Sequence, residues 1–201
     1  MEKILEKVKK KTLIPVAITF AVLMGIGVIL LVLGLILGLP VYYGFAGIAA
    51  FFGLLFLLLG LPEYLKSRKR LSAVSADDWI EIEKEMQNPK YEFKDKINEF
   101  YITENYVISF GKGFEIIAVK DIVWVYDLMI SQNGINTQRH VLVWTEDRKK
   151  HMVAYFVPMG ADHEIRVREI LGELGAGSDR IMVGYAKENV IAARDVYGIR
   201  A

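Results

Sequence analysis

The residues of this chain whose types and spacing could do chemistry are few: His140, His151 and His163, an acidic run at Glu81, Glu83 and Glu85, a Gly111-Lys112-Gly113 turn and a basic triplet, Arg148-Lys149-Lys150. Histidines serve as general bases or metal ligands only where they converge with a partner. With residues 146 to 149 read as a hairpin loop and Thr145 paired with Lys150, His151 faces Trp144 and His140 faces Tyr155. The two then share a face but stand far apart along the ladder, and no carboxylate is placed to complete a site. The glycine turn lacks the length and the following hydroxyl of a phosphate loop. No serine sits in a Gly-x-Ser-x-Gly elbow. With no cysteine in the chain there is neither a thiolate nucleophile nor a cysteinyl zinc site.

The remaining polar clusters read as surface. Trp79, Ile82 and Met86 recur at helical spacing, which leaves the acidic run on a solvated face. Arg148-Lys149-Lys150 reads as a hairpin tip in water. Trp124, Tyr126, Trp144, Tyr155 and Phe156 would make an aromatic ligand surface, but at strand spacing they read as core. No catalytic residue, cofactor or metal is expected, and the chain is expected not to be an enzyme.

The elements that carry these residues divide sharply. From Thr12 to Leu61 there is no Asp, Glu, Lys, Arg or His, and the stretch is interrupted only near Leu39-Pro40. Each half is long enough to cross a hydrocarbon core of about 30 Å as a helix, the one conformation that satisfies its own backbone within a single segment. Residues 1–65 are therefore expected to form a transmembrane hairpin with helices over about 13–39 and 41–61. Lys9, Lys10 and Lys11 precede it, and Lys66, Arg68, Lys69 and Arg70 follow it, while the turn is uncharged. By the positive-inside rule both termini face the cytoplasm at the cell membrane, and the same cations are candidates for contact with the membrane surface. Gly34 with Gly38, Ala46 with Ala50 and Ala49 with Gly53 have the small-xxx-small spacing of helix packing, within the hairpin or between copies. The spans hold no ionisable group, so they read as an anchor rather than a transport path.

Residues 66–90 read as a basic juxtamembrane segment and a linker helix, capped at Ser75 and ended at Asn88-Pro89. From residue 91 to 201 the period is that of strands. Phe100–Thr103 and Tyr106–Phe110 flank a Glu104-Asn105 turn in which Asn tolerates positive φ, and further strands are predicted at 114–119, 122–130, 139–145, 150–157 and 181–185. Helices are predicted after the Pro158-Met159-Gly160 break, with a cap at Asp162, and over 187–195. Successive strands imply local antiparallel pairing, so the fold class is α+β, a curved sheet or partly open barrel with C-terminal helices.

The runs Phe100-Tyr-Ile-Thr-Glu-Asn-Tyr-Val-Ile-Ser109 and Val119-Lys-Asp-Ile-Val-Trp-Val-Tyr126 resemble the pleckstrin-homology-like domains of small bacterial membrane proteins. Ile181-Met-Val-Gly-Tyr185 is similar to the ending of an uncharacterised group in which a membrane hairpin precedes such a domain. The resemblance covers residues 90 to 195 and implies a fold without an activity. Phosphoinositide-binding members of the wider superfamily carry basic residues between the first two strands, where this chain has Glu104 and Asn105. The expectation is a membrane-anchored cytoplasmic interaction module whose partners are the lipid bilayer, an unknown protein and further copies of itself in a homo-oligomer. The alternative is an accessory subunit that associates through its small-residue helix faces. Nucleic acid is disfavoured by a net charge of +1 with acidic residues mixed through the domain.

Overall fold

A computed structural model describes residues 2–95, 97–111, 113–157 and 162–200. Lys112 of the glycine turn and the expected break at Pro158-Met159-Gly160 lie outside the described residues. The chain forms two compact units, residues 1–72 and 73–201.

The first unit is a helical hairpin. Helix α1 (Glu2–Val8) passes through a π-helical turn at Lys9–Leu13 into α2 (Ile14–Leu37), and α3 (Val41–Ser72) returns. Two helices, Ile4–Leu37 and Val41–Ser72, are long and apolar enough to span a membrane, with mean hydropathy of 3.0 and 2.3 over their most apolar windows. Gly38 ends α2 at φ +67°, a left-handed conformation that glycine adopts without steric cost, and its N–H donates to the Gly34 carbonyl. Helix α3 runs on to Ser72 through Pro62, so Lys66, Arg68, Lys69 and Arg70 ride on its last turns.

The second unit begins with α4 (Ala76–Glu85). Its N-cap, Ser75, accepts a hydrogen bond from the Asp78 N–H at 3.1 Å, as the sequence implies. Helix α4 lies within this unit. Eight strands follow in two four-stranded sheets. Strands β1 (Tyr91–Lys94), β2 (Glu99–Ile102), β3 (Tyr106–Ser109) and β4 (Glu115–Ala118) make one antiparallel meander. A 3-10 turn at Val119–Asp121 leads to β5 (Ile122–Gln132), β6 (Ile135–Thr145) and β7 (Lys150–Phe156). Helix α5 (Asp162–Gly175) precedes β8 (Met182–Val183), and α6 (Lys187–Tyr197) ends the chain. The second sheet has the order β7-β6-β5-β8.

The class is α+β, with the strands in two sheets and no closed barrel among the described residues. Two expectations change: pairing is not all local, because β8 lies parallel to β5 through Trp124–Met182 and Val125–Val183, and β1 is an additional strand. Strands β5 and β6 run right up to Asn133-Gly134, where φ is +52° and +78°, the two-residue turn whose twist matches a hairpin. Asn105 does not adopt positive φ; among the described residues the non-glycine cases are Asn133 and Arg148.

Both faces of the second sheet are buried at its centre. Ile122, Val125, Val141, Val143 and Val153 face a core shared with Phe100, Ile102 and Ile117 of the first sheet and with Val167, Ile170 and Leu174 of α5. Val123, Trp124, Tyr126, Leu142 and Trp144 face Ala193 and Ile199 on the other side. Apart from the bulge at Val123, the strand period of 2 sends alternate residues to the two cores, which is why this stretch is apolar throughout.

Candidate functional site

A surface cleft of about 670 Å³ opens between α4, the β2–β3 turn, the 3-10 turn and the loop after α5. Asp78, Glu81 and Glu104 line one side, and Lys120, Ser178 and Arg180 another. The acidic wall is built by the β2–β3 turn. The Asn105 side chain donates to Glu81 at 3.0 Å and to Glu85 at 2.7 Å, and its backbone N–H donates to the other Glu85 oxygen at 3.1 Å. The Tyr106 hydroxyl donates to Glu81 at 3.3 Å and reaches Asp78 at 3.5 Å.

The acidic run is therefore not simply a solvated face: Asp78, Glu81 and Glu85, spaced 3 and 4 apart, make a second stripe on α4 turned toward the turn. Burial alone would raise the Glu85 carboxyl, but hydrogen bonds from Thr103 and Asn105 and the charge of Lys90 outweigh it and hold the group below its ordinary value. Burial and the carboxylates of Asp78 and Glu81 push the Tyr106 phenol up to about 12, so it remains a donor at neutral pH. The cleft thus offers hydrogen-bond donors and acceptors and charges of both signs, with no nucleophile paired to a base.

A second groove, of about 410 Å³, follows the seam where β4 faces the β6–β7 hairpin. The seam is joined by side chains. The Asn98 amide donates to the Tyr155 carbonyl at 2.7 Å and accepts from the Tyr155 N–H at 2.9 Å, and the Ser109 hydroxyl donates to the Val153 carbonyl at 2.7 Å. His151 Nδ1 lies 2.9 Å from a Glu115 oxygen, both side chains being mostly buried.

This pair corrects the sequence reading of the histidines. Thr145 bonds Lys149 rather than Lys150, because Arg148 takes φ +63° and shortens the loop to three residues. His151 then pairs with Val143 instead of Trp144, and a shift of one residue sends its side chain to the opposite face, toward the first sheet. A bulge at Val153 restores the register, so His140 does pair with Tyr155, its ring 5.4 Å away. His140 and His151 therefore lie on opposite faces, and a carboxylate does stand beside His151. His163 packs against Phe156. Among the described residues no cluster of three or more His, Asp or Glu side chains is placed to hold a metal ion.

The basic hairpin tip is engaged. Arg148 donates to the Tyr197 carbonyl at 2.9 Å, Lys149 pairs with Asp147 at 2.5 Å, and the Lys150 ammonium sits 5.7 Å from the Trp144 ring centroid. Of the aromatic set, Trp124, Tyr126, Trp144 and Phe156 are buried. Tyr155 is half-buried on the outer face.

In the first unit Gly34 faces Tyr42 and Tyr43, where a Cβ would come within 3.1 Å of the Tyr42 Cβ, and Gly53 faces Phe20, Leu23 and Met24. Ala46, Gly53, Gly60 and Ser67 recur every seven residues along α3, the period of a helix pair packed at a shallow angle. Ala46, Gly53 and Ser67 are buried, and a Cβ on Gly60 would collide with Val16. Ala49 and Ala50 flank Gly27, while Gly38 serves the turn and has open space beside it. The signal for this line was a spacing of seven, which a search for four passes over. Lys9, Lys10, Lys66, Arg68 and Lys69 are exposed, and Lys11 and Arg70 half-buried.

Residues 68–191 match one protein family, a domain of unknown function, DUF6709. No curated protein and no solved structure matches the chain.

Proposed function

We propose that this chain, which belongs to the DUF6709 family, is a membrane-anchored interaction module that binds a protein partner and performs no catalysis. The cleft beside α4 carries this reading: it gathers donors, acceptors and both signs of charge on rigid elements, and holds its one phenol protonated. The hairpin supports an anchor, since its two helices are long and apolar enough to span and hold no ionisable group at depth. The basic clusters at Lys9–Lys11 and Lys66–Arg70 favour a cytoplasmic placement of both termini at the cell membrane. We read the second unit as pleckstrin-homology-like, on the strength of two successive meanders followed by a helix. Headgroup binding is disfavoured, because the basic tip is already engaged by Tyr197, Asp147 and Trp144.

A photo-crosslinking residue at Glu104 or Lys120 tests the cleft in the full chain. The expected result is one partner captured from both positions and lost in the Arg180→Glu variant. Equal capture from exposed Val196 on α6 would overturn it.

A second reading, an accessory subunit of a larger membrane complex, draws on a groove of about 350 Å³ on the hairpin, lined by Gly27, Ala46, Gly47 and Ala50. A Cβ on Gly47 meets nothing within 4 Å, so Gly47→Leu fills the groove and leaves the hairpin intact. Loss of co-purification in that variant favours this reading, and unchanged co-purification removes it.

A further inference from the structure

We infer that the free edge of β5, from Asp127 to Ser131, is a pairing surface for a second copy of this chain. An unpaired strand edge is a template for another strand, and proteins blunt such edges with lysine, proline, bulges, short length or cover. The other edges here are treated in those ways, and residues 135–138 of β6, which β7 does not reach, carry the bulge at Thr137. Strand β1 is four residues long and carries Glu92 and Lys94, β8 is two residues long, β4 is four residues long and lies along the seam, and β7 is stitched by Asn98 and Ser109. Strand β5 is eleven residues long, and β8 covers it only at Trp124 and Val125. Beyond Val125 no described strand lies against it.

Nothing in Asp127–Ser131 discourages pairing. The segment has no lysine or proline, and its one charge, Asp127, is neutralised by Arg139 at 2.7 Å. The two bulges of this hairpin fall at Val123 on β5 and at Thr137 on β6, so the free edge between them is regular. Leu128 and Met129 are 40% and 38% exposed, on opposite faces of a strand otherwise built for burial.

The sequence of the edge names the occupant. A two-fold axis through Met129 sets Met129 opposite its own copy, Leu128 opposite Ile130 and Asp127 opposite Ser131. Apolar meets apolar, a carboxylate meets a hydroxyl, and no like charges meet. Such a contact is isologous and closes as a dimer. Five residues a side fall short of the area of a stable soluble interface, so the pairing depends on copies confined together, and the inference rests on the membrane-anchored reading.

The chain has no cysteine, so single cysteines report the contact. Full-length Met129→Cys in washed membranes, under mild oxidation, is expected to give a disulfide-linked dimer at least about five-fold more than Val183→Cys on neighbouring β8, because directly opposed Cβ atoms lie near disulfide distance. A mixture of Leu128→Cys and Ile130→Cys chains is expected to cross-link better than Leu128→Cys alone, which fixes the register. Equal cross-linking of Met129→Cys and Val183→Cys would overturn the proposal, and so would Leu128→Cys alone matching the mixture. Alkaline carbonate washing of the same membranes reports the anchor separately, so a failed contact and a failed anchor are told apart.

Discussion

Strands β7 and β5 both flank β6, and their outer edges are handled in opposite ways. Along β7 the backbone groups of Val153 and Tyr155 are taken by Ser109 and by both ends of the Asn98 amide. Along β5, Asp127 to Ser131 has no described strand beyond it and exposes Leu128 and Met129. A sealed edge serves stability, because a buried backbone group left unpaired costs about 1–3 kcal/mol. An open one is a surface for something else. Side chains therefore reveal which part of a sheet edge is sealed and which is left open.

The sealed edge is where disruption is expected to cost most. Asn98→Ala removes both bonds to Tyr155 and is expected to destabilise the second unit by about 3 kcal/mol in urea unfolding of the full chain in detergent micelles. A loss under about 1 kcal/mol would show that the seam does not depend on that amide. Ser109→Ala, with one bond to Val153, is expected to cost about half as much.

The clamp on α4 comes next. Asn105→Ala is expected to cost about 1–2 kcal/mol and to speed amide exchange across Ala76–Glu85 while leaving β6 protected. Uniform protection in both regions would remove the clamp. Glu85 adds a pH signature. Its folded carboxyl lies below its ordinary value of 4.5, so the stability it contributes is present above that pH and is lost as pH falls through the folded value. Glu85→Gln is expected to be less stable than the parent at pH 7 by about 0.5 kcal/mol, given screening at a half-buried group, with the gap closing as pH falls below 4.5. A gap that widens in acid contradicts the sign.

The smallest effect is expected on the open edge. Met129→Lys should change unfolding by less than about 0.5 kcal/mol, yet abolish cross-linking between Leu128→Cys and Ile130→Cys chains. A large stability loss would mean that this edge is part of the core.

Much of this architecture is legible in the residues, and the gaps have definite causes. The hairpin is plain because fifty uncharged residues admit few alternatives, and most strands show in their period. The Ser75 cap is local and also visible. The clamp was within reach, since Asp78, Glu81 and Glu85 fall on one helical stripe, but its partner Asn105 is twenty residues away from Glu85 in the chain. Pairing of Glu115 with His151 spans thirty-six residues and two sheets, and it depends on Arg148 adopting a left-handed turn that arginine seldom takes. Once that turn shortens the loop by one residue, every face assignment from Lys149 to the bulge at Val153 reverses. The parallel β8 escapes a local reading because its paired residues lie fifty-eight positions earlier.

The anchor is tested most directly by alkaline carbonate extraction of membranes that contain the full-length chain, followed by ultracentrifugation and detection in pellet and supernatant. The proposed hairpin keeps the chain in the pellet until detergent is added. Recovery in the carbonate supernatant would contradict a membrane-spanning anchor and, with it, the reading of the second unit as a module held at the bilayer.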